Sequence, residues 1–187
     1  MGGADKALSM LRGQTLLQRA IARARPQVDE LLINANGDVN RFTRFGIPVI
    51  ADYVEGFLGP LAGILTGLEW MKENRPQSNW LATFACDTPF FPHDLVVQLR
   101  TKATTDRALA AVAKSAGRQH GILAVWSAHI AETAQSVLIE QNLRKVDDFI
   151  VRLQHATVEF PTEPFDPFFN INTPSDLARA ETMAVLR

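Results

Sequence analysis

Three polar clusters stand where apolar runs stop. Asn34-Ala35-Asn36 follows Leu31-Leu32-Ile33, Asp52 follows Ile47-Pro48-Val49-Ile50-Ala51, and Cys86-Asp87-Thr88-Pro89 follows Trp80-Leu81-Ala82-Thr83-Phe84-Ala85. In an open α/β sheet ligands bind outside the carboxyl ends of the strands, so parallel strands here would gather these residues at one edge. Asp87 is the sharpest of them, because Thr-Pro stops the run directly behind it. A carboxylate in that place can hold Mg²⁺, a hard cation that prefers one or two carboxylates together with substrate phosphates. Asp and Asn also start turns on their own account. Three such ends in register favour a site.

Two glycine-bearing segments add phosphate chemistry. Gly59-Pro60-Leu61-Ala62-Gly63 lies between a strand pattern and a helix pattern, where backbone N–H groups can approach an anion at a helix start. The same glycines equally suit close helix–sheet packing, and no Gly-Lys-Ser/Thr follows, so this is not a Walker loop. Lys6 follows Gly2 and Gly3, and a lysine there can neutralise phosphate oxygens. Other chemistry fails. His93, His120, His129 and His155 are too scattered for a local zinc motif, and there is no Gly-x-Ser-x-Gly elbow. Cys86 reads as a small buried hydrophobe in preference to a nucleophile.

The elements that must position these residues alternate in type. Further strand candidates are Ala108 to Ala113, Ile122 to Trp126 and Thr157 to Phe160. Between strands, Leu16, Leu17, Ala20, Ile21 and Ala24 recur at helical spacing, as do Leu61, Ile64, Leu65, Leu68 and Met71, and Leu143, Val146, Phe149, Ile150 and Leu153. Thr173-Pro174-Ser175-Asp176 predicts a helix start, with a Thr cap, Pro in the first turn and an acid at the third position. Strands alternating with helices predict βαβ units and a mostly parallel, doubly covered sheet. The chain has 187 residues, 47% of them hydrophobic and 21% charged, which fits one globular domain over 1–187. A net charge of −1 argues against a general nucleic-acid binder. The longest apolar run, Ala108 to Ala113, is far short of the roughly 18 residues of a membrane span. A single cysteine fits a reducing compartment, and the expected location is the cytoplasm.

The order of Met1-Gly2-Gly3-Ala4-Asp5-Lys6-Ala7-Leu8, Asn34-Ala35-Asn36, Asp52, Gly59-Pro60-Leu61-Ala62-Gly63, Cys86-Asp87-Thr88-Pro89-Phe90 and Asn170-Ile171-Asn172-Thr173-Pro174 resembles the molybdenum cofactor guanylyltransferases, over nearly the whole chain. That resemblance implies a Rossmann-like, three-layer α/β fold of nucleotidyltransferase type. It also implies transfer of GMP from Mg-GTP to the terminal phosphate of molybdopterin, with release of pyrophosphate. Carried over by position, Lys6 would contact nucleotide phosphates, and Asn34 and Asp52 would help hold GTP. Asp87 would bind Mg²⁺, with Asn170 and Asn172 near the metal and the reacting phosphates. Arg144 and Lys145 are candidate contacts for the molybdopterin anion, or else a solvated helix face. The implied protein is a monomer that works with molybdopterin-handling proteins and molybdoenzymes.

The sequence departs from the family pattern in two places. Family members begin with a strand and a Leu-Ala-Gly-Gly-type loop ahead of the Met-Gly-Gly segment, so the expectation is that this chain starts late within its fold. Arg118-Gln119-His120-Gly121 stands where the family usually has His-Pro. Two alternatives stay open at this point. One is a related nucleotidyltransferase using CTP or another phosphate acceptor; the other is a non-catalytic protein that binds and delivers molybdenum cofactor.

Overall fold

The computed structural model describes residues 3–54, 56 and 59–185; Met1 and Gly2 of the opening glycine motif lie outside them. A 3-10 turn over Gly3–Leu8 leads into a hairpin of β1 (Met10–Leu11) and β2 (Gln14–Thr15). Its two turn residues, Arg12 and Gly13, both have positive φ, the backbone of a tight two-residue hairpin turn. Thr15 then caps α1 (Leu16–Ala24) in a reciprocal capping box with Gln18. The buried face of α1 is Leu16, Leu17, Ala20 and Ala24, the apolar spacing expected from sequence.

Next come β3 (Ile33–Asn34) and β4 (Val49–Ile50), a parallel pair in which Ile33 faces Val49 and Asn34 faces Ile50. α2 (Pro60–Asn74) follows, started by Gly59 at φ 80° and Pro60 in its first turn. The second sheet holds β5 (Trp80–Thr83), β6 (Ala110–Ser115), β7 (Arg118–Ser127) and β8 (His155–Glu159) in the order β5-β7-β6-β8. The remaining helices are α3 (Leu95–Asp106), α4 (Ala131–Ile139), α5 (Val146–Ile150) and α6 (Pro174–Met183).

Alternation along β6 and β7 builds the three layers. Ala110, Val112, Ala124 and Trp126 face α2, α4 and α5, whereas Ala111, Ala113, Leu123 and Val125 face the side of α1 and α3. Trp126 is fully buried, stacks on Phe149 at 6.2 Å, and donates its indole N–H to Thr83 Oγ1 at 2.9 Å. At Gly121 the backbone of β7 runs so close to α5 that a Cβ would sit 2.7 Å from Asp147 Oδ1.

The α/β class and the three layers are those expected, and one detail of the sheet is corrected. Its ladder is mixed: β7 is antiparallel to both β5 and β6, while β8 is parallel to β6. The reason is local. Ala116 and Gly117, both at positive φ, close a two-residue turn between β6 and β7, and only antiparallel strands can be joined so tightly. β5, β6 and β8 keep a common direction, as do β3 and β4 with each other, so within each of these two sheets the carboxyl ends of those strands share one edge. Replacing Trp126 by Ala removes both the stacked ring and the hydrogen bond at the joint of two layers. The expected loss is about 3–5 kcal/mol of unfolding free energy, read as a lower urea midpoint.

Candidate active site

One ammonium group gathers three segments. Lys6, in the opening 3-10 turn, donates to Asp87 Oδ2 at 2.6 Å, to Asn170 Oδ1 at 3.4 Å and to Asn172 Oδ1. A lysine has three N–H donors, so these three acceptors can use all of them. Asp87 sits in the turn after β5, which Thr88 closes by donating its backbone N–H and hydroxyl to Ala85 O at 3.3 and 3.0 Å. Asn170 and Asn172 flank Ile171, which is fully buried beside Leu11, Leu16 and Phe90 and so turns both amides the other way. The Ile171 N–H donates to Asp87 O at 2.9 Å, locking the asparagine segment against the end of β5. The cap of α6 fixes the far side: Asn172 N and Thr173 N both donate to Asp176 Oδ2, at 3.0 and 2.9 Å. The Thr173 hydroxyl first, then these backbone N–H groups, hold the Asp176 carboxyl below its usual range.

A second cluster follows from the register of β3 and β4. Because Asn34 faces Ile50, the two strands deliver Asn36 and Asp52 side by side two residues later. Asp52 accepts from Asn34 Nδ2 at 3.0 Å and from Asn36 Nδ2 at 2.7 Å, while its own N–H donates to Asn36 Oδ1 at 2.9 Å. The helix start packs directly on this group, since a Cβ on Gly63 would lie 2.6 Å from Asn34 Oδ1. A cavity of about 860 Å³ runs from Asn34, Asn36 and Asp52 to Ala7 and Cys86, the chain neighbours of Lys6 and Asp87.

The structure therefore brings Lys6, Asp87, Asn170 and Asn172 together, and joins Asn34 to Asp52 at the end of β3 and β4, along the same cavity. Arg144 and Lys145 belong to neither cluster; the Arg144 carbonyl borders Gly59, where α2 starts. Asn36 is more than the strand-end marker seen in the sequence: it orders Asp52 through both its amide atoms. A further network has no counterpart in the sequence reading: the buried Ser115 donates to Asp166 Oδ1 at 2.8 Å and lies 2.8 Å from His120 Nε2. With its only proton given to Asp166, Ser115 must accept from His120, which sets the histidine tautomer. Nothing in the spacing of residues 115, 120 and 166 signals this meeting.

Charge in the site rests on Lys6 and the carboxylates. Burial, and then the charge of Asp87, push the Cys86 thiol up to about 11, so no thiolate is available near neutral pH. Among the described residues no group of three or more His, Cys, Asp and Glu side chains converges. The donor set that does converge is one carboxylate and two amide oxygens around a cation, the oxygen chemistry that suits a hard divalent ion completed by substrate phosphates.

The chain matches the MobA-like NTP transferase domain over residues 1–157. It is 49% identical over 185 residues to a molybdenum cofactor guanylyltransferase of Rhodopseudomonas palustris (strain BisB5), covering 99% of this chain and 88% of that protein. It is 44% identical over 186 residues to one from Nitrobacter hamburgensis, covering 100% and 89%. Among solved structures it resembles molybdopterin-guanine dinucleotide biosynthesis protein A from Archaeoglobus fulgidus, at a TM-score of 0.79 and 24% identity, covering 99% and 93% of the two chains. It also resembles 2-C-methyl-D-erythritol 4-phosphate cytidylyltransferase from Thermus thermophilus, at a TM-score of 0.70 and 20% identity, covering 98% and 96%. These two likenesses show the fold. Among the described residues no helix is long and apolar enough to cross a membrane.

The histidine network carries a pH dependence. Burial lowers the His120 pKa below 6.5, against smaller opposing influences from Asp166 and Asp147. A histidine kept neutral by the fold contributes stability that is complete above the unfolded value and declines as pH falls through the lowered folded value. Unfolding free energy should thus drop on acidification below about 6.5. His120→Phe should flatten that part of the curve when the two proteins are compared by urea titration at matched pH.

Proposed function

The chain belongs to the MobA-like NTP transferase family, and from that premise we propose that it transfers GMP from GTP to the terminal phosphate of molybdopterin. A phosphate oxygen of molybdopterin attacks the α-phosphorus of GTP; that P–O bond forms, the α–β bridging P–O bond breaks, and pyrophosphate leaves. The observation that supports the reading is the Lys6 ammonium held against Asp87, Asn170 and Asn172; Ala7 and Cys86, the chain neighbours of Lys6 and Asp87, line the same cavity as Asn34, Asn36 and Asp52. Such transfer asks the protein to align the attack and to neutralise phosphate charge, with little covalent chemistry of its own. The acceptor is already an anion, so the site requires neither a strong general base nor a protein nucleophile, and a Cys86 thiol at about 11 stays a bystander.

In this reading Asn34 and Asp52 hold the GTP, and Lys6 turns its donors from Asp87 to the phosphate oxygens. Asp87, assisted by Asn170 and Asn172, would hold Mg²⁺, a cofactor that supplies charge neutralisation at the phosphates. Arg144 and Lys145, beside the start of α2, meet the molybdopterin anion. The 187 residues act as one nucleotidyltransferase domain, a cytoplasmic monomer whose product passes through molybdopterin-handling proteins to molybdoenzymes.

Asp87→Ala should abolish GMP transfer while leaving the far-ultraviolet circular dichroism and melting temperature near those of the parent. The removed charge stabilisation is worth several kcal/mol of barrier, so turnover with Mg-GTP should fall by about a thousandfold or more. Near-parental turnover would remove Asp87 from the site. Lys6→Ala should weaken GTP binding more than GMP binding in a calorimetric titration, because its donors serve the outer phosphates. Equal losses for the two nucleotides would take Lys6 away from them.

A further inference from the structure

Between β8 and α6, residues 160–173 form neither helix nor strand, yet they carry Asn170 and Asn172 to the Lys6 ammonium. Without a ladder, other hydrogen bonds must hold such a segment in place. Its far half is tied down twice: the Ile171 N–H donates to Asp87 O, and the Asn172 N–H donates to Asp176 Oδ2. Its near half depends on the end of β6. The Phe160 N–H donates to Lys114 O at 2.8 Å, and the next residue of β6, Ser115, donates its hydroxyl to Asp166 Oδ1 at 2.8 Å. Two consecutive residues of one strand therefore fasten both ends of the Pro-rich loop from Pro161 to Phe165.

Asp166 starts the run that leads to Asn170. Its Oδ1 also accepts the Phe168 N–H at 2.9 Å, and its carbonyl accepts the Phe169 N–H at 3.1 Å, which closes a turn over 166–169. Phe168 is buried, edge-on to Phe160 with ring centroids 5.2 Å apart, and 4.8 Å from the His120 ring. Phe169, the residue before Asn170, packs under the Arg179 guanidinium at 4.7 Å. Ser115 is fully buried, and its direction is set from behind. It accepts from His120 Nε2 at 2.8 Å, so its one proton is left for Asp166. The bulge between Val112 and Ala113 is what brings His120 there. Donors from β6 and from the turn itself thus converge on one carboxylate oxygen.

On the reading of the Lys6 cluster as a phosphate and metal site, we propose that Asp166 is a positioning residue for the transfer reaction: fastened by Ser115, it fixes where Asn170 and Asn172 enter the site. A loosened turn would leave Asn34 and Asp52 in place and misplace only the two amides. Misplacement by about 1 Å, caused away from the chemistry, can cost about a hundredfold in rate.

The test compares Asp166→Ala, Asp166→Asn and Ser115→Ala in the 187-residue protein. Asn keeps an oxygen acceptor in the same place, and Ala removes it. Ser115→Ala, which deletes a single hydroxyl, serves should Asp166→Ala not fold. In nucleotide-free protein with isotope-labelled asparagine, the side-chain amide signals of Asn170 and Asn172 should shift or broaden in both Ala variants. Those of Asn34 and Asn36 should stay, and Asp166→Asn should resemble the parent. In turnover the Ala variants should lose about 10- to 100-fold in kcat and need more Mg²⁺ for half-maximal rate, with KM for GTP within about twofold of the parent. A role in folding alone would lower the melting temperature and leave the amide signals and the Mg²⁺ requirement unmoved below it. Unmoved Asn170 and Asn172 signals in the Ala variants overturn the proposal, as does an Asn variant as impaired as Ala, or a raised KM with kcat retained. Should the parent itself transfer no GMP, the reaction assigned above fails, while the amide signals still decide whether Asp166 positions the asparagines.

Discussion

A single half-buried ammonium ties together parts of the chain that are more than eighty residues apart. Lys6 binds Asp87 across 81 positions and Asn170 and Asn172 across 164 and 166. Its partners come from the end of β5 and the approach to α6, and it reaches them from the opening turn. These meet only if the sheet, the hairpin before α1 and the α6 cap are all in place. The Arg12 N–H donates to Glu181 Oε1 at 3.0 Å, and Arg19 Nε donates to Leu11 O at 3.0 Å, so the hairpin is clamped to α6 on one side and α1 on the other. The buried Leu11, Leu16 and Ile171 with Phe90 form the apolar floor beneath the polar cluster. Burial of that floor is what fixes the asparagines, because Ile171 cannot turn outward without exposing its side chain to water.

The mixed sheet serves the same end. Placing antiparallel β7 between β5 and β6 lets one ten-residue strand bind both neighbours, and it follows β6 without a crossover. β6 and β8, joined in parallel, are separated in sequence by β7 and by the helices α4 and α5, which pack with α2 on one face. α2 is buried on most of its circumference for this reason: the sheet lies on one side and α4 on the other. Its glycines let it approach Asn34 and Leu81 closely, so the helix that starts beside one polar cluster also braces β5, which leads to the other.

Much of this was legible in the sequence, and the exceptions have physical causes. Apolar runs that stop at Asn34, Asp52 and Asp87 gave away the strand ends, because Asn and Asp favour turns and end a run of apolar residues. The helices carrying Leu16 to Ala24 and Leu61 to Met71 showed their faces at 3.6-residue spacing, and the Thr173 cap was visible as local chemistry. α3, by contrast, has a weak stripe: Leu95, Leu99 and Ala103 are its buried residues, in a segment with several threonines. The reversal of β7 was hidden in Ala116-Gly117, since alanine at positive φ advertises nothing. Which polar strand ends would pair was also invisible. Asn36 joins Asp52 because of the register of β3 with β4, and register depends on the packing of Ile33 and Val49, not on either polar residue. The Ser115, His120 and Asp166 network needs the bulge after Val112, where the pairing shifts so that Ala113 faces His120.

The pairing of Lys6 with Asp87 also bears on how such a site stays poised. A carboxylate and an ammonium that are 21% and 15% exposed gain less from each other than their distance implies, because removing both from water costs energy that their attraction only partly offsets. The pair can therefore be opened by ligands that offer each partner a stronger counter-charge: phosphate oxygens for Lys6, and a divalent cation for Asp87. The acceptor oxygens need not search for position when that exchange occurs. Asp87 is held through its backbone carbonyl by Ile171, and Asn172 through its backbone N–H by Asp176. Only the lysine side chain has to move. Fixed acceptors and one flexible cation are what charge-neutralising transfer chemistry asks of a protein, since dipoles already aligned require no reorganisation at the moment of reaction.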